Sequence, residues 1–468
     1  MIVKRILLLL LPLVFFLPSC HKATKKQQLS NAESKAVIAK IKQKGKIIAS
    51  TDFNSINYFL YRGEPMGYQY ELLQAFANYL GVKLEIVVNN DLQKSFECLD
   101  NGVCDMIAMD LTKTMSRSKI VDFSVPIIHA RQMLVQRKYS HKSKTEPIRN
   151  PINLAHKIIY VQKGSAFAER LKNLQQEIGD TIQIVEDPVS SVEELVLLVA
   201  KGKIDYTICD EHLAGVYERN YPELDIKTPV SFQQNLGWAV KKGSNELLKA
   251  LNNWLTNYKG SKEYMLTYSR YFDNPRSVEF AQSEFNTLEK GIISRYDRLI
   301  QKYSTHIGWD WRLLASLIYQ ESGFQPRVTS RGGAVGLMQL VPNTAKKYSV
   351  SGKSSPDFQI NAGVKYLKLL DKEFMSSVHD QNERTKFVLA SYNVGINHVQ
   401  DAQRLAKKYK KDPNLWTNNV DWFMIQKSNP QFCKDSVVLY GTCHGKETYN
   451  FVNEVFERYY HYKNVTDK

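Results

Sequence analysis

The feature that most constrains this chain is a change of periodicity at Asp273-Asn274-Pro275-Arg276-Ser277. Before it, short apolar runs alternate with helical stretches, namely Lys46–Ser50, Lys83–Val88, Met106–Met109, Lys157–Val161, Ile182–Val185 and Tyr206–Cys209. That alternation predicts an α/β unit with parallel sheets and a ligand at the carboxyl ends of the strands. After the break the pattern is almost wholly helical and rich in Leu, Tyr and Lys. One core cannot serve both patterns, and 468 residues are ample for two folding units at roughly 150 residues per domain.

The amino terminus sets the compartment. Lys4 and Arg5 precede an apolar run from Ile6 to Leu17, followed by Pro18-Ser19-Cys20. A charged start, an apolar stretch too short to span comfortably and a small residue before cysteine resemble a bacterial lipoprotein signal, with Cys20 as the lipidated residue. A plain secretory signal or an uncleaved anchor are the alternatives, and all of them imply export. No later run reaches the ~18 apolar residues of a spanning helix. The formal charge of +16 favours a polyanionic neighbour, and export directs it to an anionic envelope rather than to nucleic acid.

Export also bears on the cysteines. Cys433 and Cys443 bracket a short polar loop and are the stronger disulfide candidates; Cys98 and Cys104 are the weaker pair. Cys209 lies in an apolar strand and reads as a buried thiol. Their spacing is irregular and His444 is the only histidine near them, so no metal site is expected and no cofactor is implied.

In the helical part, Asp310 is placed to cap a helix from Trp311 to about Ser322, closed by Gly323 and Pro326. Leu314, Leu317, Ile318 and Glu321 share one face of it. A carboxylate ending an apolar stripe is desolvated, which retains its proton as a general acid requires. A solvated acid in a last turn is the plainer reading. Beyond it come Gly332-Gly333-Ala334-Val335-Gly336-Leu337-Met338-Gln339 and then Ser391-Tyr392-Asn393-Val394-Gly395. Glycines admit close approach of backbone to a ligand, and amides, a phenol and an acid suit a sugar polymer. Turns and a core tyrosine would leave the same pattern.

Glu321-Ser322, Gly336-Leu337-Met338-Gln339, Ser391-Tyr392-Asn393 and Glu447-Thr448, in that order, resemble the lytic transglycosylase domain related to goose-type lysozyme, over roughly Leu288 to Tyr460. The resemblance implies Glu321 as sole catalytic acid and base, with Ser322, Gly336, Met338, Gln339, Tyr392 and Asn393 shaping a cleft for peptidoglycan glycan strands. It departs at Phe451, where the family usually has a tyrosine; Tyr449 is the nearest phenol. A glycosidase needs a second carboxylate, yet no Asp or Glu lies between Ser322 and Pro356. A lytic reaction ending in 1,6-anhydro-N-acetylmuramic acid does without one.

Earlier in the chain, Gly67-Tyr68-Gln69-Tyr70-Glu71-Leu72, Asp110 to Arg117, Gln162-Lys163-Gly164-Ser165 and Asp205 to Asp210 resemble the solute-binding proteins of family 3 over about Lys46 to Phe272. That resemblance implies a ligand site of Thr114, Arg117, Ser165 and Asp210 for an amino acid or muropeptide. Arg117 pairs with a carboxylate and Asp210 takes an ammonium. A surface cation and a helix N-cap are the plainer readings of those residues.

Signal, binding unit and transglycosylase unit together resemble the membrane-bound lytic murein transglycosylase F family. The expected order is a lipoprotein signal (1–20), a tether and leading helix (21–45), a two-lobed periplasmic-binding-protein-like α/β domain (46–272), a linker (273–287) and a mainly helical lysozyme-like domain (288–468). The expected place is the periplasmic face of the outer membrane. The alternatives are a non-catalytic peptidoglycan sensor and a lysozyme-like hydrolase.

Overall fold

The computed structural model describes residues 37–61, 63–139, 146–274 and 292–466. The signal with Cys20, most of the tether and most of the linker lie outside them.

A helix over 37–44 leads into two sheets. The first runs in the order Lys83–Val88, Lys46–Thr51, Met106–Thr112, Gln234–Lys241, Val121–Phe123, with Ile128–Ala130 also on Gln234–Lys241. The second runs Gln183–Asp187, Ile158–Gln162, Thr207–Asp210, Gln132–Arg137, Leu224–Pro229. These are the two lobes. All the strands expected from the sequence form, with ends shifted by a few residues.

The expectation of parallel sheets needs correction. Lys46–Thr51 is parallel to both of its neighbours, but Gln234–Lys241 is antiparallel to Met106–Thr112, and Gln132–Arg137 is antiparallel to Thr207–Asp210 and Leu224–Pro229. Parallel neighbours require a crossover, usually helical. Gln132–Arg137 and Gln234–Lys241 are the strands that carry the chain into the second lobe and back, without a helix, so they enter antiparallel.

Beyond the break the fold is helical: Asp297–Ser304, Trp311–Ser322, Pro356–Met375, Gln381–Val394, Ile396–Lys408 and the long Gly445–Thr466. Asp310 caps Trp311–Ser322 by accepting from the Arg312 amide at 2.9 Å, and Gly323 ends it in the left-handed conformation. Leu314, Leu317 and Ile318 are completely buried. Fully buried Lys427 donates to fully buried Asp401 at 2.6 Å, and Asp401 also accepts from the amides of Leu439 (2.8 Å) and Tyr440 (3.0 Å). This pair pins an irregular segment onto the helices.

One apolar core crosses the break. Gly445–Thr466 seals it against the first lobe. Tyr462 donates to Gly63 O (3.0 Å), Asn464 donates to Ile86 O (2.6 Å), and Tyr58 shares a hydrogen bond with His461 Nδ1 (2.7 Å).

All five described cysteines are free thiols. The expected Cys433–Cys443 bridge is absent, and both residues are only partly buried. Cys98 and Cys104 are buried in one small core, where the Cys104 amide donates to Cys98 O at 3.1 Å. Cys209 is fully buried, as expected of its strand.

Candidate functional site

Glu321 is the penultimate residue of Trp311–Ser322, at the end of that helix's apolar face. Burial pushes its carboxyl up to about 8. Charge repulsion is not the cause, so the group is an acid kept neutral by its surroundings. Tyr392 lies close enough that Glu321 adds to the burial that raises its phenol.

The wall beside Glu321 is locked by backbone contacts. Ser322 is buried, and its hydroxyl donates to Ile318 O (3.0 Å) and Leu337 O (2.8 Å), tying the helix end to the glycine loop. Gly336 has φ +74°, and a Cβ there would sit 2.3 Å from Gln359 Oε1. That close approach lets Gln359 accept from the Leu337 amide at 2.7 Å. Met338 is buried against Gly363, and its carbonyl accepts the Tyr392 hydroxyl at 2.5 Å. Gln339, itself at φ +42°, donates to Gly336 O at 2.9 Å and Val328 O at 3.2 Å. Exposed Asn393 accepts from Thr448 Oγ1 at 2.8 Å. Ser322 and Met338 thus hold the wall from within, while Glu321, Tyr392 and Asn393 stay within reach of solvent. Gln359, which holds the Gly336 turn, carries no local sequence signal.

The two lobes enclose a second site of about 80 Å³. Arg117, Ser165 and Asp210 line it. Arg117 is buried and donates to Thr112 O (3.1 Å) and Gly164 O (3.2 Å), the latter across the lobes. Asp210 is the N-cap residue of Glu211–Asn220 but makes no side-chain cap bond, so the plain capping role does not account for it. Thr114 is not in the wall; its hydroxyl meets Ser116 Oγ (2.7 Å) and accepts from the Arg117 amide (3.3 Å), and Thr112 lines the cleft instead. Asp52, Asp110 and Glu193, which sequence reasoning did not single out, also line it. Asp52 follows directly on the end of strand Lys46–Thr51, where such folds bind ligands, so that signal was available.

The family model for bacterial extracellular solute-binding proteins, family 3, matches residues 45–274, and that for the transglycosylase SLT domain matches 298–415. A mutant of ArgBP from T. maritima aligns with 25% identity and a TM-score of 0.45, over 51% of this chain and 100% of its own. The amino acid ABC transporter substrate-binding protein AbpA from Streptococcus pneumoniae Canada MDR_19A, bound to L-arginine, aligns with 27% identity and a TM-score of 0.45, over 51% and 99%. A membrane-bound lytic murein transglycosylase F from Desulfosudis oleivorans (strain DSM 6200 / JCM 39069 / Hxd3) is 34% identical over 421 residues, 90% of each chain. This chain belongs to the membrane-bound lytic murein transglycosylase F family.

In this transglycosylase, Phe451 is buried in the core. Tyr449 points into a different depression, shared with Tyr409, Asn418 and Trp422. The phenol beside Glu321 is that of Tyr392. Asp357, the next acid along the chain, is held by Tyr303 (2.9 Å) and Lys302 (3.2 Å).

Proposed function

We propose that Glu321 is the acid and then the base by which this peptidoglycan lytic transglycosylase cuts glycan strands. The observation that carries the reading is a carboxyl held neutral by burial, to about 8, with no charged partner contributing to the shift. Neutral Glu321 protonates the glycosidic oxygen as the C1–O bond of N-acetylmuramic acid breaks. The resulting carboxylate takes the proton of the C6 hydroxyl as O6 bonds to C1. The 1,6-anhydro ring closes, Glu321 ends protonated, and no water is consumed. Asp357, engaged by Lys302 and Tyr303, is unsuited to the second carboxylate of a hydrolase. Tyr392, Gln339 and Asn393 border the sugar, with Ser322, Gly336 and Met338 holding that wall.

The test is mass spectrometry of peptidoglycan digested by the protein beside a Glu321→Gln control. Anhydro-muropeptides that vanish in the control are expected. Reducing ends would indicate hydrolysis instead.

The remaining assignments are read from the sequence. Cys20 is the lipid attachment point and anchors the enzyme at the periplasmic face of the outer membrane. Residues 46–272 form the binding unit and 288–468 the enzyme. A cleft ligand on Thr112, Arg117, Ser165 and Asp210, with Thr114 supporting Arg117, is an amino acid or muropeptide that biases cleavage. Lipidated mature protein from cells, lost in Cys20→Ala, is the expected result for the anchor.

A further inference from the structure

Tyr449 follows Thr448, whose hydroxyl donates to Asn393 in the catalytic wall. One residue further round the helix, its ring lines a separate depression of about 490 Å³ with Tyr409, Lys411, Asn418, Trp422 and Phe423. The opposite side of this depression is also fastened to the catalytic wall. The segment Trp416–Val420 docks on Gln381–Val394, the helix that carries Tyr392 and Asn393. Glu383 accepts there from the amides of Trp416 (2.7 Å) and Thr417 (3.0 Å), and buried Trp416 packs edge-on against Phe387. The depression and the cleft at Glu321 thus share two helices and keep a fixed relation to each other.

The depression combines exposed rings with available polar groups. Trp422 is 47% exposed, yet it stands at right angles to buried Phe423 (4.8 Å between ring centroids) and buried Phe432 (5.4 Å). A solvent-facing ring is therefore held in one orientation. Tyr409 is 42% exposed beside it, with its hydroxyl donating to Asp435 at 3.3 Å. The side chains of Lys411, Asn418 and Tyr449 make no hydrogen bond or ion pair among the described residues. Asn418 has φ +59°, which asparagine tolerates better than most residues, and its backbone amide donates to Asp421 Oδ2 at 3.1 Å. The turn is held by the backbone, and the carboxamide is free for another use. Asp421 is the acid in this wall, and it is taken up by that amide and by the Trp422 amide at 2.7 Å.

Rings with a polar handle and a few donors in a depression of this size suit a ligand that has both apolar faces and oxygens. A pyranose has both. Its C–H faces stack on rings, and its hydroxyl and acetamido oxygens accept from amides, phenols and ammonium groups.

We propose that this depression is a second glycan-binding site, which holds a peptidoglycan strand away from the bond being cut. The proposal rests on the reading of the chain as a glycan-cutting enzyme. A sugar ring stacks on Trp422 between Tyr409 and Tyr449, Asn418 meets an acetamido group, and Lys411 meets a carboxylate of the strand. A strand held here and in the cleft is bound twice, so each new cut is made on a strand already retained.

The experiment compares kcat/KM of the full chain in detergent on two substrates. One is long peptidoglycan glycan strands freed of stem peptides. The other is the tetrasaccharide of the same repeat, whose sugars are taken up by the cleft when its bond lies at Glu321. In Trp422→Ala the ratio of long-strand to tetrasaccharide kcat/KM is expected to fall at least fivefold. Asn418→Gly keeps the positive-φ turn and removes the carboxamide; there the ratio is expected to fall at least twofold. An unchanged ratio in Asn418→Gly, or an equal loss on both substrates in Trp422→Ala, would overturn the proposal and leave the enzyme standing. A dimer of the unmodified protein in sedimentation that Trp422→Ala dissolves would assign the surface to a second copy and overturn it as well. No anhydro products from either substrate with the unmodified protein would overturn the catalytic reading along with this one. Asn418→Gly decides the matter where Trp422→Ala fails to fold.

Discussion

Replacing Glu321 by glutamine should abolish cleavage and yet make the protein more stable, by an amount that depends on pH in one direction only. The folded carboxyl holds its proton to about 8, whereas an unfolded glutamate ionises near its ordinary value of 4.5. Between those values the native state binds the extra proton, so stability falls as pH rises. The penalty is absent below about pH 4.5, grows through the window and is flat above about 8. At ~1.4 kcal/mol per pH unit, it reaches at most about 5 kcal/mol, and relaxation of the site reduces it to a few. Glutamine has no such penalty. The assay is thermal unfolding of both proteins from pH 4.5 to 9, with a digestion assay in parallel. The variant's advantage in Tm should be near zero at pH 4.5 and reach several degrees by pH 8. An advantage that is constant with pH would refute the reasoning, because burial would then not be what protects the proton.

Three further outcomes follow from named contacts. Lys427→Met leaves the buried Asp401 with Arg404 as its one remaining ion-pair partner among the described residues, and should cost about 3–5 kcal/mol in denaturant unfolding. Gly336→Ala must displace Gln359 and strain a backbone at φ +74°, which should cost roughly 1–3 kcal/mol and lower cleavage by loosening the Leu337 turn, read by melting and by product yield. His461 is pulled down to about 4 by burial, so an unfolded chain takes up its proton first as pH falls from 6.5 to 4. Stability present at neutral pH should decline by up to about 3 kcal/mol over that window, and His461→Phe should flatten the decline in a pH series of melts.

Much of the Glu321 site was legible because it is local. The spacing of Leu314, Leu317, Ile318 and Glu321 defines a helical face by itself, and Asp310 and Gly323 bound the helix with one residue each. What was not legible depends on distant partners. Ser322 and Met338 read as cleft residues, but their side chains point into the core toward Leu337 and Gly363, contacts that no spacing announces. The sheets read as parallel because helices alternate with strands, a rule that fails for strands which merely cross between lobes. Cys433 and Cys443 sit well for a bridge in sequence, yet the fold keeps both as thiols. The seal between the units was hidden for the same reason: Tyr462 and Asn464 reach carbonyls at Gly63 and Ile86, far away in the chain.

That seal gives regulation by the cleft ligand a physical route, and one substitution tests it. Asn54 and Asn57 hold Asp52 in the cleft, and the hairpin of the paired strands Phe59–Tyr61 and Glu64–Met66 follows directly from them. At its tip Glu64 accepts from Arg458 Nη2 at 3.1 Å. The same guanidinium donates to Gln320 Oε1 at 2.7 Å and lies 4.4 Å from the centroid of the Tyr319 ring, one and two residues before Glu321. Contiguity alone is not coupling; coupling requires that the ligand and the enzyme favour different positions of the hairpin. Glu64→Ala cuts this contact without touching either site. A half-exposed ion pair of this kind is worth about 1 kcal/mol or less, so the loss of stability should be small. A coupling carried through it is of the same size, a change of up to roughly fivefold in cleavage rate on adding ligand. In Glu64→Ala that ligand response should shrink toward unity, while ligand affinity and the rate without ligand hold. An undiminished response would mean that the hairpin tip does not carry the signal and that the contacts of Tyr462 and Asn464 bear it instead.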